Sequence, residues 1–186
     1  MIITKLKVSL LVLCTLYFSL IHHVHSAPQV KEYHVKATFT HNFTDFIRWP
    51  KDTFSSKQEP FQLCVIGDNP FGETLNILVQ KYNERTSNKS NPHIVNYLHR
   101  SEDISHCHLL YFSDSEESYF YQIINKIKGK PILTVSSIRD FAISGGMIQF
   151  YMRNNRVRFL IDPQTVRESK LKADANLLRV AEIAGK

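Results

Sequence analysis

Hydrophobic and polar positions change period several times along the chain, and each change marks an element. Residues 8–21 form an uncharged apolar run behind Lys5 and Lys7, closing in Val24-His25-Ser26. This predicts a secretory leader over residues 1–26, cut after Ser26, because the run is short for a bilayer span and ends in small residues. An uncleaved membrane anchor is the alternative, and Cys14, mid-run behind bulky Leu13, argues against lipid attachment. Over residues 31–48, Val35, Phe39, Phe43, Phe46 and Ile47 fall at helical spacings, predicting an amphipathic helix. It should stop before Trp49-Pro50, since proline disfavours helical backbone in the residue preceding it.

Residues 61–67 are a short apolar run between turn residues, the pattern of a buried strand. Asp68-Asn69-Pro70 then reads as a helix start, with a helix over 70–82 burying Phe71, Leu75, Leu78 and Val79. Residues 83–91 lack periodicity and predict an exposed loop. Strands follow over 93–98 and 107–112, then a start signal at Ser113-Asp114-Ser115 and a helical stripe of Tyr119, Phe120, Ile123, Ile124 and Ile127. Residues 131–135, 147–152 and 157–161 read as strands, the last two joined through the turn 153–156. A helical turn over 138–143 precedes Gly145-Gly146, Asp162-Pro163 opens a short helix, and residues 176–184 form a terminal amphipathic helix. Strand alternates with helix and a hairpin closes the series. The expected fold is therefore three-layer α/β: a mostly parallel sheet of about six strands, helices on both faces, and a C-terminal antiparallel hairpin.

Removing the leader leaves residues 27–186, a length that suits one domain with one core. It also removes Lys5 and Lys7, so the formal charge falls from +6 to +4, with 21 basic against 17 acidic side chains spread along the chain. Such a mild, dispersed excess argues against a nucleic-acid partner. After cleavage nothing remains that would insert directly into a membrane. The remaining cysteines, Cys64 and Cys107, are an even count in a compartment that permits oxidation, which predicts a disulfide. Two buried free thiols are the alternative. A zinc site with His106 and His108 is a third reading; along a strand, however, the two histidines share a face and Cys107 points to the other.

Catalytic chemistry does not stand out. Ser136-Ser137 lacks the glycine-flanked elbow of a hydrolase, and the glycines at 67 and 72 do not have the spacing of a phosphate-binding loop. No catalytic residue, metal or cofactor is expected. In open parallel sheets the ligand crevice lies beyond the carboxyl ends of the strands. Here those ends supply Asp68 and Asn69, Ser113 and Asp114, and Ser136 and Ser137, which can either hold a small anion or amino acid or simply cap helices. For a protein partner the candidates are Arg48 at the end of the first helix and Tyr151, Arg156 and Arg158 on the hairpin. Trp49, beside Phe46 and Ile47, reads as a core residue in preference to a surface anchor.

In order along the chain, FTHNFTDFIRWP (39–50), FQLCVIGDNPFG (61–72), CHLLYFSDSE (107–116), PILTVSSIRDFAISGGMIQFYMRNNRVRFLID (131–162) and LLRVAEI (177–183) resemble the YfiR-like family of bacterial periplasmic proteins. The run from Gly145-Gly146-Met147-Ile148 into Arg156-Val157-Arg158-Phe159 is the most specific segment. The resemblance implies one exported, non-enzymatic α/β domain in the periplasm. It also implies repression of a membrane signalling protein, a diguanylate cyclase of the inner membrane, through that enzyme's periplasmic sensor region, with effects on cyclic-di-GMP and biofilm. A homodimer is a second expected partner. The family's disulfide maps onto Cys64 and Cys107, whereas the second cysteine pair of some relatives has no counterpart here. A periplasmic small-ligand binding protein feeding an envelope sensor or uptake system is the alternative function.

Overall fold

The computed structural model describes residues 27–56, 58–86 and 91–185. The expected leader over 1–26 lies outside the described residues. The chain divides after Lys31, and the sheet with its covering helices belongs to the unit over residues 32–186.

Helix α1 (Ala27–Phe46) runs directly into the short strand β1 (Ile47–Arg48). It ends two residues before the predicted stop, because Ile47 and Arg48 pair antiparallel with Ala173 and Lys172 instead of continuing the helix. Its buried face also departs from the predicted apolar stripe. Ala37, Thr40, His41 and Phe43 face inward, while Val35 and Phe46 are exposed. Lys36 is buried too, and its ammonium is balanced by Glu32 one turn earlier at 2.6 Å.

The strands β2 (Phe61–Ile66), β3 (His93–Leu98), β4 (Leu109–Phe112) and β5 (Leu133–Ser136) are parallel, and β6 (Ile148–Arg153) continues the parallel set. Strand β7 (Arg156–Ile161) returns antiparallel to β6 through Asn154 and Asn155, both in the left-handed region at φ 51° and 57°, as a two-residue hairpin turn requires. The sheet order is β3-β2-β4-β5-β6-β7, extended by a seventh strand, β9 (Glu182–Ile183), parallel to β7.

Three-layer α/β architecture thus holds, with one strand more than expected. The extra strand replaces the end of the predicted terminal helix: α5 (Ala175–Val180) stops early, and the chain swings onto the edge of β7. Between them lie α4 (Pro163–Glu168), opened by Asp162, whose carboxylate accepts from the Gln164 and Thr165 N–H groups, and the short β8 (Lys172–Ala173). The predicted helix over 70–82 is displaced to α2 (Thr74–Thr86). The Asn69 carboxamide accepts from Phe71 N–H at 2.9 Å and donates to the Gly72 carbonyl at 3.1 Å, so the start signal makes a local turn before the helix begins. At its other end α2 takes up residues 83–86, which the missing periodicity assigns to a loop; Asn83 gives the reason, since its side chain grips both the N–H and the carbonyl of His93 at 2.8 Å.

Alternation along the strands divides the core in two. Leu63, Val65, Leu109, Tyr111, Leu133 and Val135 pack with α1 and α2 on one face. Cys64, Ile66, Leu110 and Phe112 point the other way, against Ile123, Ile124 and Ile127 of α3 (Phe120–Ile127) and against Ile138 and Phe141. Gly145, at φ 98°, and Gly146 then bring the chain back to β6; a side-chain carbon on Gly146 would fall inside the Phe141 ring.

Candidate functional site

The topology brings the three predicted strand ends to one edge. Ile66, Phe112 and Ser136 are aligned in adjacent parallel strands, so the residues after them lie side by side at that end of the sheet. Their polar groups are largely engaged inside the fold. Ser136 Oγ donates to the Phe112 carbonyl and accepts from Ile138 N–H, both at 2.9 Å. Ser137 Oγ lies 3.2 Å from the Tyr111 hydroxyl, and Asp68 N–H donates to Ser115 Oγ at 3.0 Å. Ser113 is buried, and its carbonyl accepts from Glu116 N–H. Asn69 makes the turn already described. Asp114 receives the Tyr33 hydroxyl of α1 at 2.9 Å. Burial first, and the Asp114 carboxylate second, hold the Tyr33 phenol well above its ordinary range, so it stays a donor.

The same edge carries a feature that sequence reasoning misses. Glu116, an acid at a helix start by its position in the chain, is buried and takes both arms of the Arg100 fork, at 2.7 and 3.1 Å. The Arg100 guanidinium in turn lies over the Tyr119 ring, 3.5 Å from its centre. No periodicity links position 100 to 116; only the parallel crossover after β3 does.

Cys64, on β2, and Cys107, ahead of β4, are joined as a disulfide closing a sequence separation of 43 residues. His106 places one ring nitrogen within 4.8 Å of both sulfurs. The sulfur valences are spent on each other, so the oxidised chain offers a metal no thiolate at this point.

A second feature hidden from the sequence lies on the α1 face, where the strands begin. Three histidines, His41 of α1, His93 of β3 and His108 before β4, are buried among rings. Tyr82 stacks on His93 at 4.0 Å between centres, His93 lies 5.3 Å from His41, and Phe61 sits between His93 and His108 at 4.8 and 5.1 Å. His108 Nδ1 accepts from Gln62 N–H, but His41 Nε2 and His93 Nδ1 are buried without a hydrogen-bond partner among the described residues. Desolvation lowers the basicity of all three, and the neighbouring imidazoles add to it for His93, which falls to about 3. Trp49 is half-buried at the border of this layer, packed against the core though not inside it: its indole N–H donates to the Pro131 carbonyl at 3.0 Å and its ring stands edge-on to Phe61.

The predicted partner residues separate. Arg48 lies on β1 with its side chain 77% exposed, 3.6 Å from Asp174. Tyr151, Arg156 and Arg158 lie together on the hairpin, where Tyr151 stands opposite Arg158 and Arg153 opposite Arg156. A recess of about 330 Å³ is lined by Arg153, Asn154, Arg156 and Arg158. A further cavity of about 310 Å³, which no sequence signal announces, opens between the end of α3, the start of β6 and α4.

No described helix is long and apolar enough to cross a membrane. Among curated proteins, none matches this chain. A family profile described as YfiR/HmsC-like matches residues 33–182, from the tyrosine that caps Asp114 to the glutamate that begins β9. On that coverage, the chain belongs to the YfiR/HmsC-like family.

Proposed function

We propose that this protein is a non-enzymatic regulator of the bacterial periplasm. It represses a membrane signalling protein, a diguanylate cyclase, by contact with the cyclase's periplasmic sensor region and so limits cyclic-di-GMP and biofilm. The observation that carries the reading is the family match over residues 33–182. The Cys64–Cys107 bridge supports it, because such bonds persist in oxidising compartments. The apolar run behind Lys5 and Lys7 supports export by the same route.

Repression follows from differential binding. A docked protein shifts the cyclase only as far as it prefers the inactive state, and about 1–3 kcal/mol of preference is a typical coupling. The experiment is deletion of the gene with measurement of cellular cyclic-di-GMP. A rise reversed by the wild-type chain is expected, and an unchanged level would overturn the reading. The small-ligand alternative would require the three strand ends to give up hydrogen bonds already made within the fold, which weakens it.

A further inference from the structure

The two edges of β7 are used unequally. The two-residue turn makes Arg153 and Arg156 the closing pair of the hairpin. By antiparallel alternation, Arg156, Arg158 and Leu160 then direct their backbone groups toward β6, and Val157, Phe159 and Ile161 direct theirs outward. Strand β9 covers part of that outer edge: its pairing with Leu160 and Ile161 takes up both backbone groups of Ile161 and the carbonyl of Phe159, and leaves the Phe159 N–H and both groups of Val157 facing outward. Among the described residues, no backbone or side-chain group bonds the outward N–H or carbonyl of Val157. The side chains alternate with the same period. Phe159 is buried against Phe39 and Phe43, so Arg156 and Arg158 project from the opposite face, where both are exposed. Arg153 is paired with Glu182 at 2.6 Å, whereas Arg156 and Arg158 enter no ion pair with any described residue.

We propose that residues 156–159 of β7 take up an acidic, extended segment of the partner as an added strand beside β9, with Arg156 and Arg158 pairing its carboxylates. This rests on the regulator reading and names the chemistry of its contact. The unpaired edge selects a polypeptide, since only an extended backbone offers the matching row of donors and acceptors. The arginines select its charge: carboxylates on alternate residues meet the guanidinium face, and the residues between them lie over the apolar one. A second copy of the chain is disfavoured as occupant, because pairing β7 with itself sets arginine against arginine.

The test uses the full mature chain and a synthetic strand, acetyl-Thr-Glu-Val-Glu-Val-Glu-Thr-amide, with a counterpart carrying Lys in place of Glu. The acidic strand should bind and the basic one should not. The double substitution Arg156→Glu, Arg158→Glu should weaken binding at least 30-fold, and Arg156→Lys, Arg158→Lys less than fivefold. Val157→Pro removes the outward donor and should weaken binding at least tenfold with the thermal midpoint retained. Should that variant fold poorly, methylating alternate backbone nitrogens of the acidic strand makes the same cut on the ligand side. Equal binding of the basic strand, or undiminished binding of the methylated one, overturns the proposal. So does a solution dimer of the mature chain that Val157→Pro dissolves, since a second copy would then hold the edge. In cells, a folded Arg156→Glu, Arg158→Glu protein should fail to restore low cyclic-di-GMP. Full restoration overturns the strand while leaving the regulator reading intact, and no response to gene deletion overturns the regulator reading itself.

Discussion

At the β3–β2–β4 end of the sheet, three histidines are sealed among aromatic rings and a disulfide crosses beneath them. At the β6–β7 end, arginines stand in solvent on a strand whose outer edge is only half paired. Both ends are built from strands of similar length in one sheet, so the difference lies in what covers them. Residues of α1 and α2 and the loop that carries Phe54 close over the first, stacking rings on rings. Beyond α3, nothing comparable covers the arginine face of the second among the described residues. The first end keeps its polar rings out of water, whereas the second leaves charged side chains and part of a backbone edge in solvent.

Four measurements would break or sharpen that contrast. The largest effect should come from Cys64→Ser with Cys107→Ser. Loop entropy over the 43-residue separation implies a loss of about 4 kcal/mol, read as a lower denaturant midpoint in urea. Acidification comes next. His93 is held at about 3 in the fold against an ordinary 6.5, so below 6.5 the unfolded chain binds the proton that the folded chain refuses. Stability is therefore fully present above pH 6.5 and declines toward pH 3, by up to about 1.4 kcal/mol per pH unit for this one residue. A stability curve flat from pH 7 to pH 4.5 would show that the histidines are not sealed. Third, Asn83→Ala strips the grip on the His93 backbone and should cost about 2 kcal/mol in thermal or chemical unfolding. Smallest of all, Arg156→Glu with Arg158→Glu should move stability by no more than about 0.5 kcal/mol, because both side chains are exposed and enter no ion pair among the described residues. A loss several times larger would mean that the open end carries structural load after all.

The α/β order is legible because short apolar runs bounded by turn residues and helices opened by Asp or Asn announce themselves locally. Asp162-Pro163 and the Asn154-Asn155 turn stand where the sequence places them for that reason. Errors arise where a distant partner decides the outcome. Ile47 and Arg48 become a strand because residues 172 and 173 lie beside them, and Glu182 and Ile183 leave the helix because β7 has an edge to fill. The inward face of α1 carries Lys36, Thr40 and His41, which no hydropathy pattern would bury; Glu32 and the ring layer make it tolerable. The crevice residues do sit at three neighbouring strand ends, but Tyr33 on Asp114 and Arg100 on Glu116 depend on contacts across the fold. The histidine layer draws on positions 41, 93 and 108, and no spacing between them hints at a meeting.

Trp49 gives the sealed end a built-in optical reporter. It is the chain's single tryptophan, half-buried, fixed by Pro131 and set edge-on to the Phe61 ring that touches His93 and His108. Its fluorescence therefore comes from one place, and a shift of its emission to longer wavelength would register water entering this layer without any label being attached.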